Sequence, residues 1–230
     1  MRSGVVIFPG SNCDRDMIVA LRKITGKTPI KIWHKEYDIP NLDLIVIPGG
    51  FTFGDYLRCG ALAARSPVIS SIKNHISRGG TVLGVCNGFQ ILIEAKILPG
   101  SLIRNKKLLF TCRETTLEVQ SCIENPFLSG LKIGECLKIP VAHNEGNYFA
   151  PKDLLKQLKE EGRIALKYSK QKNSEKNYNP NGSSDDIAGI LSNNGKVLGM
   201  MPHPERAINY LHGGTDGLKL LTNCIEQIIG

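Results

Sequence analysis

Short apolar runs alternate with longer helical patterns over the first hundred residues of the chain. The runs are rich in β-branched residues, as buried strands are, and cover residues 5–8, 29–33, 42–47 and 81–85. Capping residues and apolar residues at helical spacing predict helices over residues 14–24, 66–78 and 87–96. In the first helix, Ile18, Val19 and Leu21 are predicted to face inward. Because apolar strands that alternate with helices are covered on both faces, this half predicts a parallel sheet.

The pattern changes in the second half. Short strands, some of them antiparallel, are predicted over residues 108–112, 115–119, 135–142 and 164–168. Helices are predicted over residues 151–161 and 215–229. A polar stretch rich in Asn, Ser, Pro and Gly predicts an exposed loop over residues 169–186.

A hairpin is the strongest local signal of this half. Asn193, Asn194 and Gly195 separate the apolar runs 187–191 and 197–201, and an Asn-Gly turn suits such a connection. The whole pattern predicts one α/β domain over residues 1–230. We expect a flavodoxin-like, mostly parallel sheet flanked by helices, with a small antiparallel β extension.

Composition narrows the class of protein. Hydrophobic residues make up 41% and charged residues 22% of the chain, as in ordinary soluble domains. No apolar run approaches the roughly 18 residues that span a bilayer, and the N-terminal run is too short for a signal peptide. The seven cysteines form neither a C-x-x-C pair nor a zinc-like spacing. We therefore expect a cytoplasmic chain without membrane contact and without a metal site.

The net charge of +8 and the isoelectric point near 9.1 raise the question of nucleic-acid binding. The lysines are spread along the chain, and the densest run, residues 167–176, has only Tyr168 and Tyr178 as nearby aromatic residues. No nucleic-acid-binding motif is present. A solvated basic face is the preferred interpretation, and we expect no nucleic-acid partner.

A cysteine stands where the strand over residues 81–85 changes into a helix. Gly84 precedes Cys86 by two residues and Gly88 follows it by two, the spacing of the G-x-S-x-G nucleophile elbow with sulfur in place of oxygen. The sharp turn leaves no room for larger side chains there, and the helix N-terminus favours a thiolate. By itself the pattern fits equally well a buried core cysteine in a glycine-containing turn.

A His-Pro-Glu sequence follows the last strand of the predicted hairpin. A thiol nucleophile needs an imidazole to take up and return its proton, and an acid to orient that imidazole. His203 and Glu205 could serve, although alone they could form an exposed turn. Gly10, Gly50 and Cys86 also follow predicted strands, and ligands of parallel sheets bind at that edge. The combination predicts a triad of Cys86, His203 and Glu205.

The motifs around these residues are similar to those of the class I (triad) glutamine amidotransferases. The similarity lies in Gly84-Val-Cys-Asn-Gly-Phe-Gln90 and Pro202-His-Pro-Glu205. Other stretches resemble the glutaminase subunits of phosphoribosylformylglycinamidine synthases, so that the resemblance covers essentially the whole chain. They are Phe8-Pro-Gly-Ser-Asn-Cys-Asp-Arg-Asp16, Pro48-Gly-Gly-Phe-Thr-Phe-Gly-Asp-Tyr-Leu-Arg58, Ala142-His-Asn-Glu-Gly-Asn-Tyr148 and Asn179-Pro-Asn-Gly-Ser183.

The resemblance implies a role for each residue of the triad. Cys86 would attack the side-chain amide of L-glutamine and form a γ-glutamyl thioester with release of ammonia. His203 would act as base and acid, and Glu205 would orient it.

The resemblance also assigns the residues around the triad. The backbone amides of Gly50 and Asn87 would form the oxyanion hole. The substrate-binding residues would be Gln90, His143 and Gly146. No metal is implied.

The resemblance further implies partners. A separate synthetase subunit would bind ATP and Mg²⁺ and convert formylglycinamide ribonucleotide to formylglycinamidine ribonucleotide in de novo purine biosynthesis. A small third subunit is also expected. This chain lacks a G-x-x-x-x-G-K-[ST] phosphate loop, and we expect no cofactor on it.

Some positions depart from the family pattern, and two other functions stay open. Thr52 and Phe53 replace a more usual Ser-Tyr pair, and Asn144 stands where Gly is expected. These changes leave the triad intact and alter only contacts of the loops. The alternatives are a glutaminase subunit of another amidotransferase pathway, or a non-catalytic flavodoxin-like binding subunit in which Cys86 is only a redox-sensitive thiol.

Overall fold

The chain is built around a nine-stranded mixed sheet, seen in a computed structural model that describes residues 1–120, 122–170 and 178–230. The strands are β1 (Ser3–Ile7), β2 (Ile30–Trp33), β3 (Leu44–Ile47), β4 (Thr81–Val85), β5 (Ser101–Ile103), β6 (Thr111–Val119), β7 (Cys136–His143), β8 (Asn147–Phe149), β9 (Ile164–Tyr168), β10 (Ile187–Leu191) and β11 (Val197–Met200). The α-helices are α1 (Asp14–Thr25), α2 (Val68–Ser77), α3 (Asn87–Glu94), α4 (Lys152–Glu160) and α5 (Asp216–Ile229).

The sheet has a parallel half and an antiparallel half. Its strand order is β2-β1-β3-β4-β11-β10-β9-β6-β7, and the first five strands in that order are parallel. When β11 is counted as the fifth strand of the parallel half, the order is 2-1-3-4-5, as in flavodoxin-like folds. The predicted fold class is therefore confirmed. The antiparallel strands continue the same sheet, while β5 and β8 form a separate two-stranded sheet. That residues 1–230 form a single domain stays a prediction.

Burial explains why the parallel strands could be read from the sequence. Every residue of β3 and β4 is buried, because helices cover both faces of these central strands. At the edge of the sheet, β2 buries only Ile32. The Asn-Gly hairpin between β10 and β11 is also confirmed, with Leu191 opposite Leu198.

The inward face predicted for the first helix is partly wrong. In α1 the buried residues are Met17, Ala20 and Leu21, whereas Val19 is 51% exposed. Each helical residue turns the side chain by roughly 100°, so Val19 points about 200° away from Met17. An apolar residue on the outer face therefore misled the prediction.

The strand predicted over residues 108–112 is wrong for most of its length. Leu108, Leu109 and Phe110 are exposed, and Leu108 has a φ of 57°. The strand begins at Thr111 and continues unbroken to Val119, because it pairs with β7 as far as Glu118 and its last residues pair with β9.

Some elements escaped the prediction or fall outside the described residues. The strands β5 and β8 were not predicted, since three residues are too few to show a periodicity. Part of the predicted loop 169–186 and of the basic run 167–176 lies outside the described residues. Among the helices that the structure describes, none is long and apolar enough to cross a bilayer.

Glycines allow α3 to pack close to the strands beneath it. A Cβ on Gly199 of β11 would overlap Cδ2 of Phe89 and lie 2.6 Å from Cε2 of that ring, and one on Gly84 of β4 would lie 2.9 Å from the Gly88 carbonyl oxygen. A Cβ on Gly88 would overlap the carbonyl oxygen of Ile47 and lie 2.7 Å from its carbonyl carbon. Backbone therefore meets backbone where α3 crosses the end of β3.

We expect Gly88→Ala to lower the free energy of unfolding by about 3 kcal/mol or more, because neither the helix nor the strand can yield to a new methyl group. The matched control is Gly26→Ala at the C-terminus of α1. Gly26 has a φ of +68°, and no atom of the described residues lies within 4 Å of a new Cβ, so that only backbone strain of about 1 kcal/mol is expected. Denaturant titration measures both losses. Equal losses for the two variants would contradict the close packing of α3.

Candidate active site

The cysteine of the predicted elbow stands at a strained corner. Cys86 lies between β4 and α3 with φ 50° and ψ −106°, a conformation that costs energy for a residue with a Cβ. Its amide donates a hydrogen bond to the Met200 carbonyl at 2.7 Å. Its carbonyl accepts from the amides of Phe89 and Gln90 at 3.0 and 3.1 Å. The predicted strand-turn-helix corner is therefore present, and its bonds offset the strain.

His203 and Glu205 form a buried pair directly after β11. The Nδ1 atom of His203 lies 2.7 Å from Oε1 of Glu205, and both side chains are almost completely buried. Proline precedes and follows His203, and residues 204–206 form a short 3-10 turn. The His203 amide donates to the Pro140 carbonyl at 2.8 Å, which ties this turn to β7.

The histidine and the cysteine meet beside one glycine. A Cβ built on Gly49 would lie 2.6 Å from Cε1 of His203 and 3.3 Å from Cβ of Cys86. The Cys86 thiol lies 3.7 Å from the Ala142 carbonyl oxygen. Among the described residues, Nε2 of His203 has no hydrogen-bond partner. The structure thus brings the predicted triad together with one imidazole nitrogen free for the thiol or a substrate.

The surroundings of His203 decide its charge. Burial disfavours an imidazolium, but the negative charge of Glu205 and the nearby Cys86 and Cys13 side chains raise the pKa of His203 well above its usual value. A protonated His203 is therefore stable beside Cys86 near neutral pH. Such a pair holds the proton that an amine leaving group needs.

Gly50 and Asn87 directly follow Gly49 and Cys86 in the chain. Gly50 follows β3 with φ 142°, and a Cβ there would lie 2.8 Å from the Asn12 amide nitrogen. Asn87 is the first residue of α3, so its amide has no partner within the helix. Its side chain accepts a hydrogen bond from the Thr52 amide at 3.2 Å and so fixes the loop after Gly50. The positions of Gly50 and Asn87 are compatible with the predicted oxyanion hole, which stays a prediction.

Gln90 is buried one turn along α3, and its side-chain amide both donates and accepts a hydrogen bond. Its Nε2 donates to the Glu145 carbonyl at 2.6 Å, and its Oε1 accepts from the Asn87 side chain at 2.8 Å. A direct bond to glutamine would therefore require Gln90 to exchange one of these partners. In this state the residue joins α3 to the loop over residues 143–147.

Both ring nitrogens of His143 contact other side chains of the protein in this structure. Its ring nitrogens face Asn105 Oδ1 at 3.1 Å and Asn181 Nδ2 at 3.4 Å, and the ring is buried. Burial and the nearby charge of His203 lower the pKa of His143 to about 4. His143 is therefore neutral at physiological pH. Its predicted contact with substrate stays a prediction.

Two asparagines that were not among the predicted site residues hold the loop over residues 143–147. Asn105 accepts from the Gly146 amide at 3.0 Å and donates to the His143 carbonyl at 2.9 Å. Asn181 donates to the Gly146 carbonyl at 2.7 Å. Asn181 lies within the Asn179–Ser183 stretch that the resemblance singled out, whereas no sequence pattern marked Asn105. Gly146 is thus positioned by side chains distant in sequence.

Three residues of the loop after β3, among them the unusual Thr52 and Phe53, are fixed by burial, ring packing or an ion pair. Thr52 is buried, and Phe53 has a φ of 55° and packs its ring edge against Phe8 and His34. Arg58 forms a bidentate ion pair with Glu94 of α3, at 2.7 and 2.9 Å.

One group of described residues has the spacing of metal ligands. Single ligand atoms of Cys13, His203 and Glu205 lie within 4.8 Å of one another. The guanidinium of Arg206 lies 3.0 Å from the Cys13 sulfur and repels a cation from this position. The group overlaps the predicted triad, and no reaction step is assigned to a metal there.

The arrangement suits covalent acyl transfer. A thiol at the N-terminus of a helix, a buried imidazole and an acid that orients it are the parts that split amide hydrolysis into two easier steps. The site lies beyond β3, β4 and β11, which are neighbours in the sheet. Their ends bring together residues far apart in sequence.

Comparison with known proteins agrees with this geometry. Residues 1–214 match the model of a family described as the CobB/CobQ-like glutamine amidotransferase domain. A phosphoribosylformylglycinamidine synthase subunit PurQ from Brucella suis biovar 1 (strain 1330) is 51% identical over 226 residues, 98% of each chain. The subunit of the same name from Bartonella henselae (strain ATCC 49882 / DSM 28221 / CCUG 30454 / Houston 1) is 49% identical over 230 residues, the full length of both.

A solved structure is similar as well. A chain from the structure of PurLQS from Thermotoga maritima superposes with a TM-score of 0.85 at 40% identity, covering 98% of this chain and 97% of that one. The sequence resemblance to glutamine amidotransferases is thereby confirmed. With a triad geometry at the sheet edge and a family model that spans nearly all of its residues, the chain belongs to the CobB/CobQ-like glutamine amidotransferase family.

Proposed function

We propose that this chain is the glutaminase subunit of a phosphoribosylformylglycinamidine synthase and that it works in de novo purine biosynthesis. The observation that carries the proposal is the match to subunits of that name over almost the whole of both chains at about half identity. The convergence of Cys86, His203 and Glu205 supports it, since a subunit that only bound a ligand would not need this arrangement.

The proposed reaction begins with attack on glutamine. The Cys86 thiolate forms a bond to the γ-carbonyl carbon, and the carbonyl oxygen becomes an oxyanion bound by the amides of Gly50 and Asn87. His203 then donates its proton to the amide nitrogen. The carbon–nitrogen bond breaks, ammonia leaves and a γ-glutamyl thioester remains on Cys86.

Hydrolysis completes the cycle. His203, now neutral, takes a proton from a water molecule that attacks the thioester carbon. The carbon–sulfur bond breaks, glutamate leaves and the thiolate–imidazolium pair is restored. Glu205 stays charged throughout and stabilises each imidazolium form of His203.

The ammonia is proposed to pass to a separate synthetase subunit, which converts formylglycinamide ribonucleotide to formylglycinamidine ribonucleotide. The solved relative from Thermotoga maritima is described as PurLQS, and we infer both a large synthetase and a small third subunit as partners here. ATP and Mg²⁺ would bind to the synthetase, and this chain would carry no cofactor. A closed passage between the subunits would keep ammonia from solvent. We place the complex in the cytoplasm.

Replacing the nucleophile should separate the two halves of the reaction. In the reconstituted complex, Cys86→Ser should lower glutamine-dependent synthesis by at least about 10³-fold, because the weaker nucleophile cannot form the thioester. Synthesis from added ammonium salt should stay at the wild-type rate. The matched control is Cys112→Ser, which changes an exposed cysteine and should leave both rates unchanged. Retained glutamine-dependent synthesis in Cys86→Ser would contradict the proposal.

Removing the charge of Glu205 should change both rate and pH dependence. Glu205→Gln should lower kcat by about 10²- to 10⁴-fold, because His203 loses the group that orients it. The carboxylate charge raises the pKa of His203, so its loss lowers that pKa. The alkaline limb of kcat/KM, which follows loss of the imidazolium proton, should therefore move to lower pH.

A pH–rate profile of the reconstituted complex measures this shift. Glu160→Gln, an exposed change on α4, is the control and should match the wild type. An alkaline limb that stays in place in an active Glu205→Gln enzyme would count against Glu205 as the partner of His203.

The isolated chain should hydrolyse glutamine slowly and respond to its synthetase. The Cys86 thiol faces the Ala142 carbonyl, and both polar ends of Gln90 are bonded within the protein, so the site must rearrange before it binds glutamine. We expect at least about tenfold stimulation of glutaminase activity by the synthetase partner, measured as glutamate release. The same activity with and without partner would contradict this expectation.

A further inference from the structure

Cys13 is a buried thiol at the junction of three parts of the site. It immediately precedes α1, and its side chain is 2% exposed. Its amide donates to the Gly49 carbonyl at 3.3 Å, which joins it to the strand end that carries Gly50. Its sulfur, a ring nitrogen of His203 and a carboxylate oxygen of Glu205 lie within 4.8 Å of one another.

The contact between Cys13 and Arg206 ties down the turn that carries Glu205. Nη2 of Arg206 donates to the Cys13 sulfur at 3.0 Å, a short distance for a bond to sulfur, and the donor is charged. The Nε atom of Arg206 also lies 3.7 Å from Asp16 on the first turn of α1. Arg206 is therefore held at two points by the segment that begins at Cys13.

The His203–Glu205 pair needs such support from outside. Oε2 of Glu205 is buried and has no hydrogen-bond partner among the described residues, so that oxygen does not anchor the side chain. Backbone bonds hold the start of the turn, through Pro140, and its end, through Ala207. Side-chain support comes through the residue after Glu205, and that residue is Arg206.

We propose that Cys13 is a positioning residue for the triad, acting through Arg206 to hold Glu205 and His203 in register with Cys86 and the Gly49–Gly50 strand end. The inference rests on the proposed glutaminase function and adds to it a residue with no chemical step of its own. The same sulfur contacts the Arg206 guanidinium and borders the imidazole, so its removal loosens both sides of the pair.

Loss of the sulfur should act on the reacting geometry rather than on glutamine binding. A misplacement of about 1 Å can cost roughly 10² in rate when reacting groups must align. The proposed substrate-binding residues Gln90, His143 and Gly146 lie on α3 and on the loop over residues 143–147, which Cys13 does not contact in any described hydrogen bond. The expected signature is therefore a fall in kcat with a nearly constant KM.

The test uses the reconstituted complex and the variants Cys13→Ala, Cys13→Ser, Arg206→Met and the double variant Cys13→Ala/Arg206→Met. We expect Cys13→Ala to lower kcat for glutamine-dependent synthesis by about 10- to 100-fold, with KM for glutamine within about twofold of wild type. Cys13→Ser should recover much of the rate, because a hydroxyl oxygen also accepts from the guanidinium. The double variant should be little worse than either single variant, as expected for residues that act as a pair.

Cys224→Ala is the matched control. Cys224 is also a buried thiol, 2% exposed, and lies on α5. Thermal unfolding of every variant reports the loss of stability from a deleted sulfur, and Cys224→Ala should lose stability without losing kcat. Ammonia-dependent synthesis should be unchanged in all of them.

Several outcomes would overturn the positioning role. One is a kcat for Cys13→Ala equal to that of Cys224→Ala. Another is a raised KM for Cys13→Ala at constant kcat. A third is a double variant whose loss of kcat is the product of the losses in Cys13→Ala and Arg206→Met. Should Cys13→Ala fail to fold, Arg206→Met decides, and full kcat in that variant would contradict the proposal. Cys86→Ser is assayed alongside. If it stays active with glutamine, the proposed function itself fails, whereas an inactive Cys86→Ser beside a fully active Cys13→Ala rejects only the role of Cys13.

Discussion

The close approach of α3 to the central strands is the contact on which the site depends. Gly84, Gly88 and Gly199 remove the side chains that would otherwise separate the helix from β3, β4 and β11. With no room for a longer connection, the chain must turn within Cys86 itself, and the residue adopts a positive φ. The strain is compensated by backbone bonds on either side of the turn. The same packing places Cys86 at the N-terminus of α3.

Charge is the second constraint on this region. His203 and Glu205 are buried together, and a buried ionised group is stable only when it is paired. Pairing raises the pKa of His203 against the effect of burial, so the imidazole is available as an acid beside the cysteine. The guanidinium of Arg206 and the sulfur of Cys13 complete the surroundings of the pair. The side chains that set the charge of His203 are therefore also the ones that surround and position it.

The antiparallel half of the sheet is as necessary to the site as the parallel half. It supplies the Pro140 carbonyl that holds His203 and the Ala142 carbonyl that faces Cys86. The loop that follows β7 is held by Asn105 and Asn181, which satisfy its buried polar groups. A polar network of this kind keeps one loop conformation, because any other would leave buried groups unpaired. The antiparallel half of the sheet therefore forms one side of the site.

Much of this could be predicted from the sequence alone. Local signals predict the buried parallel strands, the Asn-Gly hairpin and the elbow at Cys86. Each of these features depends on residues that are neighbours in the sequence. The pairing of Cys86 with His203 and Glu205 could be inferred since all follow strands whose ends share one edge of a parallel sheet. The resemblance added the substrate and the partners.

Other features were decided only by the tertiary structure. The exposed Val19, the late start of β6 and the clamp of Asn105 on Gly146 depend on partners far away in the sequence. Cys13 lies in a stretch that the resemblance singled out, but no role was predicted for it, and only folding brings its sulfur to Arg206, 193 residues away in the chain. Local sequence determines which backbone conformations are favourable, but a buried polar group is satisfied by whichever side chain the fold brings within hydrogen-bond distance.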